Sequence, residues 1–421
     1  MKEINTFIDQ HQDDLIELVR TLVRFPTVSP PARNTAVAQQ FVASYLQELG
    51  YATDMWDVYP GDPNVVGVKK GDSAYRSILL NGHIDVAEVG DDSGWTYPSF
   101  DVTRVGDKLY GRGTADMKGG LAAALFALKA LQACGVDVPG EIIFESVIGE
   151  EAGEAGTYDC IERGYRADLA IVPDTSNLRI EGQGGVITGW IVVKSPQTFH
   201  DGMRAKMIHA GGSVHGASAI EKMMVLLQGL QSLERHWAVT KSYPGFAPGS
   251  NTINPAVIEG GRHAAFVADE CRLWVTVHFY PNESYEGVVE EIERHLHGVW
   301  MGDPWLRDHP PHYIWGGKSM IEERGEIFPA LELQQEHPGI QLLATIHEKV
   351  TGEQASFGMS PTVTDAGWLG RAGMATALYG PGLLKNAHAV DEHCELQEII
   401  NIAKVLAQTI LQWCNQKRDP A

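Results

Sequence analysis

Five short segments of this 421-residue chain concentrate side chains able to bind a cation or move a proton. Asn81-Gly82-His83-Ile84-Asp85-Val86 follows an apolar, strand-like run at 78–80. Alternation along an extended chain puts His83 and Asp85 on one side. The carboxylate can then hold one imidazole nitrogen and leave the other for a metal. A surface His-Asp pair at a strand end would look the same in sequence. Gly111-Arg112-Gly113-Thr114-Ala115-Asp116-Met117-Lys118-Gly119-Gly120 is a glycine-rich turn opening into a helix. It lacks GxGxxG and GxxxxGK[ST], so its glycines suit a backbone that holds Asp116 toward a cation better than a phosphate cradle. Glu150-Glu151 follows the apolar run 142–148. Adjacent carboxylates repel and call for a positive partner. One can bind a metal while the other stays free as a base. Asp174, in Val172-Pro173-Asp174-Thr175, and His388, in Asn386-Ala387-His388-Ala389-Val390-Asp391-Glu392, complete the set.

A donor set of His, Asp and Glu without Cys suits Zn²⁺, or Mn²⁺ and Co²⁺. Other hydrolytic schemes lack their pieces, since there is no HExxH and no GxSxG elbow. The elements that must position the donors are legible from periodicity. Helical spacing runs over 4–23, 35–49, 117–133, 217–233, 286–296, 340–350 and 396–413. Strand-like runs fall at 65–68, 77–80, 141–147, 169–172, 186–193, 273–279 and 375–379. This alternation predicts an α/β fold with a largely parallel sheet. It also puts the acids and histidines at the C-terminal ends of successive strands, where open α/β sheets place ligands. The pattern changes after Gln183-Gly184-Gly185 and resumes beyond the Pro-rich stretch 304–311. The expected organisation is a discontinuous domain, 1–186 with 302–421, and an inserted block, 187–301, large enough to be a domain.

Composition narrows the classes further. With 44% hydrophobic residues the chain is not a disordered one. The longest apolar stretch, 121–136, carries Lys129 and is too short to span a bilayer. The first residues lack a signal-peptide layout, and five scattered cysteines without CxxC spacing point to a reducing cytoplasm. A formal charge of −21 disfavours nucleic acid and anionic membranes as partners.

Taken in order, His83-x-Asp85, the Gly111–Gly120 turn with Asp116, Glu150-Glu151, Asp174 and His388 resemble the signature of the di-zinc amidohydrolases of the M20 peptidase class. The acetylornithine deacetylase and succinyl-diaminopimelate desuccinylase type belongs to this class. The resemblance covers essentially the whole chain. It implies a zinc-peptidase-like catalytic domain and an inserted α+β lid of βαββαβ type that forms a homodimer. It implies two zinc ions, with Co²⁺ or Mn²⁺ as substitutes. His83 and Asp174 would hold one ion, Glu151 and His388 the other, and Asp116 would bridge both. Glu150 would be the general base for a water activated between the ions, and Asp85 would hold His83. The Asp116–Met117 peptide is expected to be cis. In the lid, His209 matches a histidine that reaches the partner subunit's site and stabilises an oxyanion. Ser213 and Ser218 stand where the family usually has Pro and Asn.

The family commonly clamps a substrate carboxylate with an Asn and an Arg of the lid. Here those positions read as Ala265 and His278, with Arg262 or Arg204 as possible replacements. The expected substrate is a small N-acylated amine, with an acetylornithine-type amino acid as the default. An N-formyl aminopyrimidine, which needs no carboxylate clamp, is the runner-up, and a dipeptidase or carboxypeptidase follows. The intact donor set and Glu150 argue against a non-catalytic homologue, and nucleotide binding ranks last.

Overall fold

The computed structural model describes residues 2–418 apart from 30–33, 154, 205–215 and 317–325. The chain divides into two compact units, Met1–Gln183 with Leu331–Ala421, and Gly184–Ala330.

The first unit is built on an eight-stranded mixed sheet. Its centre is four parallel strands in the order Ile142–Val147, Ile78–His83, Leu169–Val172 and Ala375–Leu378. Antiparallel neighbours flank them, Asp62–Lys69 on one side and Ile180–Gln183 on the other. The central strands are buried along their whole length. That is why they read as continuous apolar runs rather than alternating ones. The Lys118–Ala133 helix is likewise buried almost all round and packs against Leu396–Trp413. Leu121, Leu125 and Phe126 have no exposed surface, and truncating such a side chain to Ala costs about 2–5 kcal/mol. The helix expected over 4–23 is two helices, Lys2–Gln10 and Gln12–Val23. They part at His11, whose Nδ1 bonds back to the Phe7 carbonyl at 2.8 Å.

The second unit has a five-stranded antiparallel sheet carrying the helices Ala219–Thr240 and Tyr285–Met301. Element order here is strand, helix, two strands, helix, strand, followed by the short Ile327–Phe328 strand. Gly185–Lys194 pairs directly and antiparallel with Glu270–Phe279. Burial along Glu270–Phe279 alternates strictly, so one face meets the helices and the other stays partly open. The unit runs on to Ala330, beyond the expected limit of 301, because His312–Trp315 and Ile327–Phe328 also pair with Gly185–Lys194. Among the described residues no helix is long and apolar enough to cross a membrane.

Candidate metal centre

The first unit gathers the predicted donors at one end of its parallel strands. His83 closes the Ile78–His83 strand, Glu150 and Glu151 follow Ile142–Val147, and Asp174 follows Leu169–Val172. Asp116 enters from the turn that starts the Lys118–Ala133 helix. Glycine makes that approach possible. A Cβ on Gly120 would lie 1.7 Å from the Pro173 carbonyl oxygen, so only glycine lets this helix pack against the strand end that carries Asp174. The Asp116–Met117 peptide is cis, as expected.

Two donor clusters result, and Asp116 belongs to both. His83, Asp116 and Asp174 offer ligand atoms within 4.8 Å of one another, as do Asp116, Glu151 and His388. His83 Nε2 lies 3.2 Å from Asp116 Oδ1, 3.8 Å from Asp174 Oδ2 and 3.9 Å from Glu150 Oε2. His388 Nε2 lies 3.2 Å from the other Asp116 oxygen and 3.0 Å from Glu151 Oε2. The imidazole of His83 is fixed from behind, because Nδ1 donates to the Asp85 carbonyl at 2.9 Å. The Asp85 carboxylate stands further off, 3.7 Å from that nitrogen, and accepts from the Glu151 N–H at 3.3 Å. Asp85 therefore touches two donor segments, one through its backbone and one through its side chain.

Electrostatics test whether a cation fits. Burial raises Glu150 well above the ordinary glutamate range and lifts Asp85 and Asp174 to about 7. Burial alone would lower His83, but contact with Asp116 and the charges of Glu150, Asp174 and Asp85 carry it well above the ordinary imidazole value. Contacts with Asp116 and Glu151 raise His388 to about 10. Asp116 is also buried, yet its two histidine neighbours hold it below the usual carboxylate range. So many acids in one dry place require compensating positive charge, from protons or from metal ions. His83 Nε2 is buried and lacks an aligned hydrogen-bond partner among the described residues, despite its 3.2 Å approach to Asp116. Two donors facing a common point without bonding each other is what a metal position looks like. The residues fit divalent ions.

The remaining predicted residues belong to the second unit. Arg262 is exposed and paired with Asp269 at 2.9 Å, and His278 sits half-buried on Glu270–Phe279. Both belong to the second unit, as do Ala265 and Arg204. His209 lies outside the described residues. Sequence reasoning gave no role to Arg112, Glu392, Glu145 or Asp365, all of which are buried. Burial lifts Glu145 to about 8 and Asp365 to about 6. An acid inside the apolar run Ile142-Ile143-Phe144-Glu145 was the one available signal for Glu145. Asp365 has none.

Residues 79–412 match the model of peptidase family M20/M25/M40, and the chain belongs to that family. It is a hydrolase of linear amide bonds. It is 59% identical over 420 residues to the N-formyl-4-amino-5-aminomethyl-2-methylpyrimidine deformylase of Halalkalibacterium halodurans, covering 99% of this chain and 98% of that one. It is 26% identical over 415 residues to the acetylornithine deacetylase of Yersinia pestis, covering 96% and 98%. A dipeptidase structure from Saccharomyces cerevisiae shares the fold, with a TM-score of 0.71, 14% identity and 99% of each chain covered.

Proposed function

We propose that the protein is a metal-dependent deformylase of an N-formylated aminomethylpyrimidine. The observation that carries this reading is 59% identity along the full length to a deformylase of that substrate. The acetylornithine-type default yields to it, since that likeness is only 26%. The absence of the usual carboxylate clamp, with Ala265 and His278 at its positions, agrees with a substrate that has no carboxylate.

In this reading His83 and Asp174 hold one zinc ion, Glu151 and His388 the other, and Asp116 serves both. When bound, such ions polarise an amide carbonyl and acidify a water. Glu150 accepts the proton of the attacking water and returns it to the amine nitrogen as the C–N bond breaks, releasing formate and a primary amine. His209 of a second copy would stabilise the developing oxyanion. The exposed edge strand Ile253–Gly260 supports such a homodimer, since only Ile253 of its residues is buried and an open edge invites pairing.

The test is release of the free amine by the zinc- or cobalt-loaded protein, with formate or acetate assayed as the co-product. The N-formyl pyrimidine should exceed N-acetylornithine in kcat/KM by about 10²-fold or more. The reverse order would restore the amino-acid deacylase.

A further inference from the structure

Beside the candidate metal centre lies a buried ion pair, Arg112 with Glu392. Glu392 is 0% exposed and Arg112 is 1% exposed. One Glu392 oxygen accepts from three backbone donors of the Asp116 turn, the N–H groups of Gly113 at 2.9 Å, Ala115 at 2.9 Å and Asp116 itself at 3.1 Å. The other accepts from Arg112 Nη1 at 2.6 Å. The second Arg112 nitrogen, Nη2, donates to the carbonyls of Glu88 at 2.9 Å and His388 at 3.2 Å. A third tie closes the arrangement, since Gly111 N donates to the Glu392 carbonyl at 2.9 Å.

These bonds join the two segments that carry Asp116 and His388. His388 needs such help. Its side chain is 55% exposed, it sits on a loop, and its backbone is left-handed with φ 58°. A non-glycine residue holds that conformation only where its surroundings fix it. Arg112 supplies the fixing bond at the His388 carbonyl. Glu392 supplies the equivalent at Asp116, where a buried carboxylate taking three N–H bonds and a guanidinium is strongly oriented. A buried pair of this kind adds little net stability, because desolvation offsets most of its attraction. Its value lies in geometry.

We propose that Glu392 and Arg112 are positioning residues that lock the Asp116 turn to the His388 loop and so set the affinity and geometry of the metal centre. The proposal rests on the metal-dependent reading above. Groups that orient metal ligands typically change metal affinity by about 10–100-fold when replaced. Glu392→Gln keeps the size but loses the charge and places an NH₂ against Arg112. Arg112→Lys keeps the charge but cannot reach Glu392, Glu88 and His388 together.

The experiment is a cobalt titration of metal-free wild type and both variants, read by the visible d–d bands, alongside thermal unfolding of the metal-free proteins. The expected result is cobalt affinity about 10–100-fold weaker in each folded variant, with bands altered in position or intensity. If the folded variants bind cobalt with wild-type affinity and spectrum while only their unfolding temperatures fall, the pair is merely structural and the proposal is overturned. Should Glu392→Gln fail to fold, Arg112→Lys decides. If neither folds, the pair serves folding and the proposal falls. Wild-type protein that gives no cobalt bands would sink the metal-dependent reading itself, a failure visible without any variant.

Discussion

Two strands show how differently the units of this molecule use their sequence. Ile78–His83 is buried from end to end, and its only chemically useful atoms stand where it terminates. Glu270–Phe279 is buried at every second residue, leaving Arg272, Trp274, Thr276 and His278 on a half-open face. A strand covered on both faces tolerates little change, because each added or lost methylene is felt. A strand with one open face can exchange its outward residues at small cost. The family's donor set stands intact on the first kind of scaffold. The departures, Ala265 and His278, fall in the second unit. If the proposed roles hold, the chemistry and the choice of substrate sit on regions with different freedom to vary.

The sharpest way to break that division is to attack the first unit's base and leave its donors alone. Glu150→Gln should cut turnover by roughly 10²–10⁴-fold, with zinc content unchanged by elemental analysis. His83→Ala, Asp116→Ala and His388→Ala should lose metal as well as activity. A fully active Glu150→Gln protein would remove the base assignment. The second unit is expected to touch chemistry at one point only, His209. Its replacement by Ala should cost about 10²–10³-fold without loss of metal. If His209 acts in a partner's site, mixing inactive Glu150→Gln and His209→Ala subunits should recover activity, because one hybrid site holds both groups. No recovery in verified heterodimers would confine all chemistry to one chain.

What was legible in the sequence follows the same division. Strand ends with acids, the glycine turn and the buried helix at 118–133 could be read because each leaves a local pattern. The parallel core needed only apolar runs. The Ile253–Gly260 strand left no such pattern, since seven of its eight residues are exposed, Val257 and Ile258 among them. The break at His11 was hidden because the apolar spacing continues across it. Arg112 and Glu392 were invisible as a pair for another reason. They are joined only by the fold, and a buried ion pair between distant segments has no periodicity to betray it.

Arg262 offers a finer test of where selectivity resides. Its side chain is 62% exposed and its guanidinium is already engaged by Asp269. An exposed pair of this kind is worth about 0–1 kcal/mol, and it leaves no preorganised clamp for a substrate carboxylate. Arg262→Ala should therefore change kcat/KM for the formyl pyrimidine by less than about 3-fold. Matched acyl-amines with and without an α-carboxylate should also show no large preference for the carboxylate. A preference above about 10³-fold, some 4 kcal/mol, that vanishes in Arg262→Ala would show a working clamp and return an amino acid as substrate.

The smallest expected effect concerns His278. Burial pushes its imidazole below the ordinary histidine value. The folded protein thus prefers the neutral ring, while the unfolded chain takes up a proton near pH 6.5. A depressed base contributes stability that is present above the unfolded value and is lost as pH falls through it toward the folded one. Wild-type thermal stability should then decline more steeply than that of His278→Gln between about pH 7.5 and pH 5. The difference should be no more than about 3 °C, since a half-buried side chain contributes under about 1 kcal/mol. The variant isolates this one ring from the other histidines, which titrate in both proteins. Parallel curves would mean that the ring is freely solvated in the assembled protein. A wild-type curve that falls less steeply than the variant's would mean that His278 meets an anion, the one outcome that would make the second unit's open face a charged site after all.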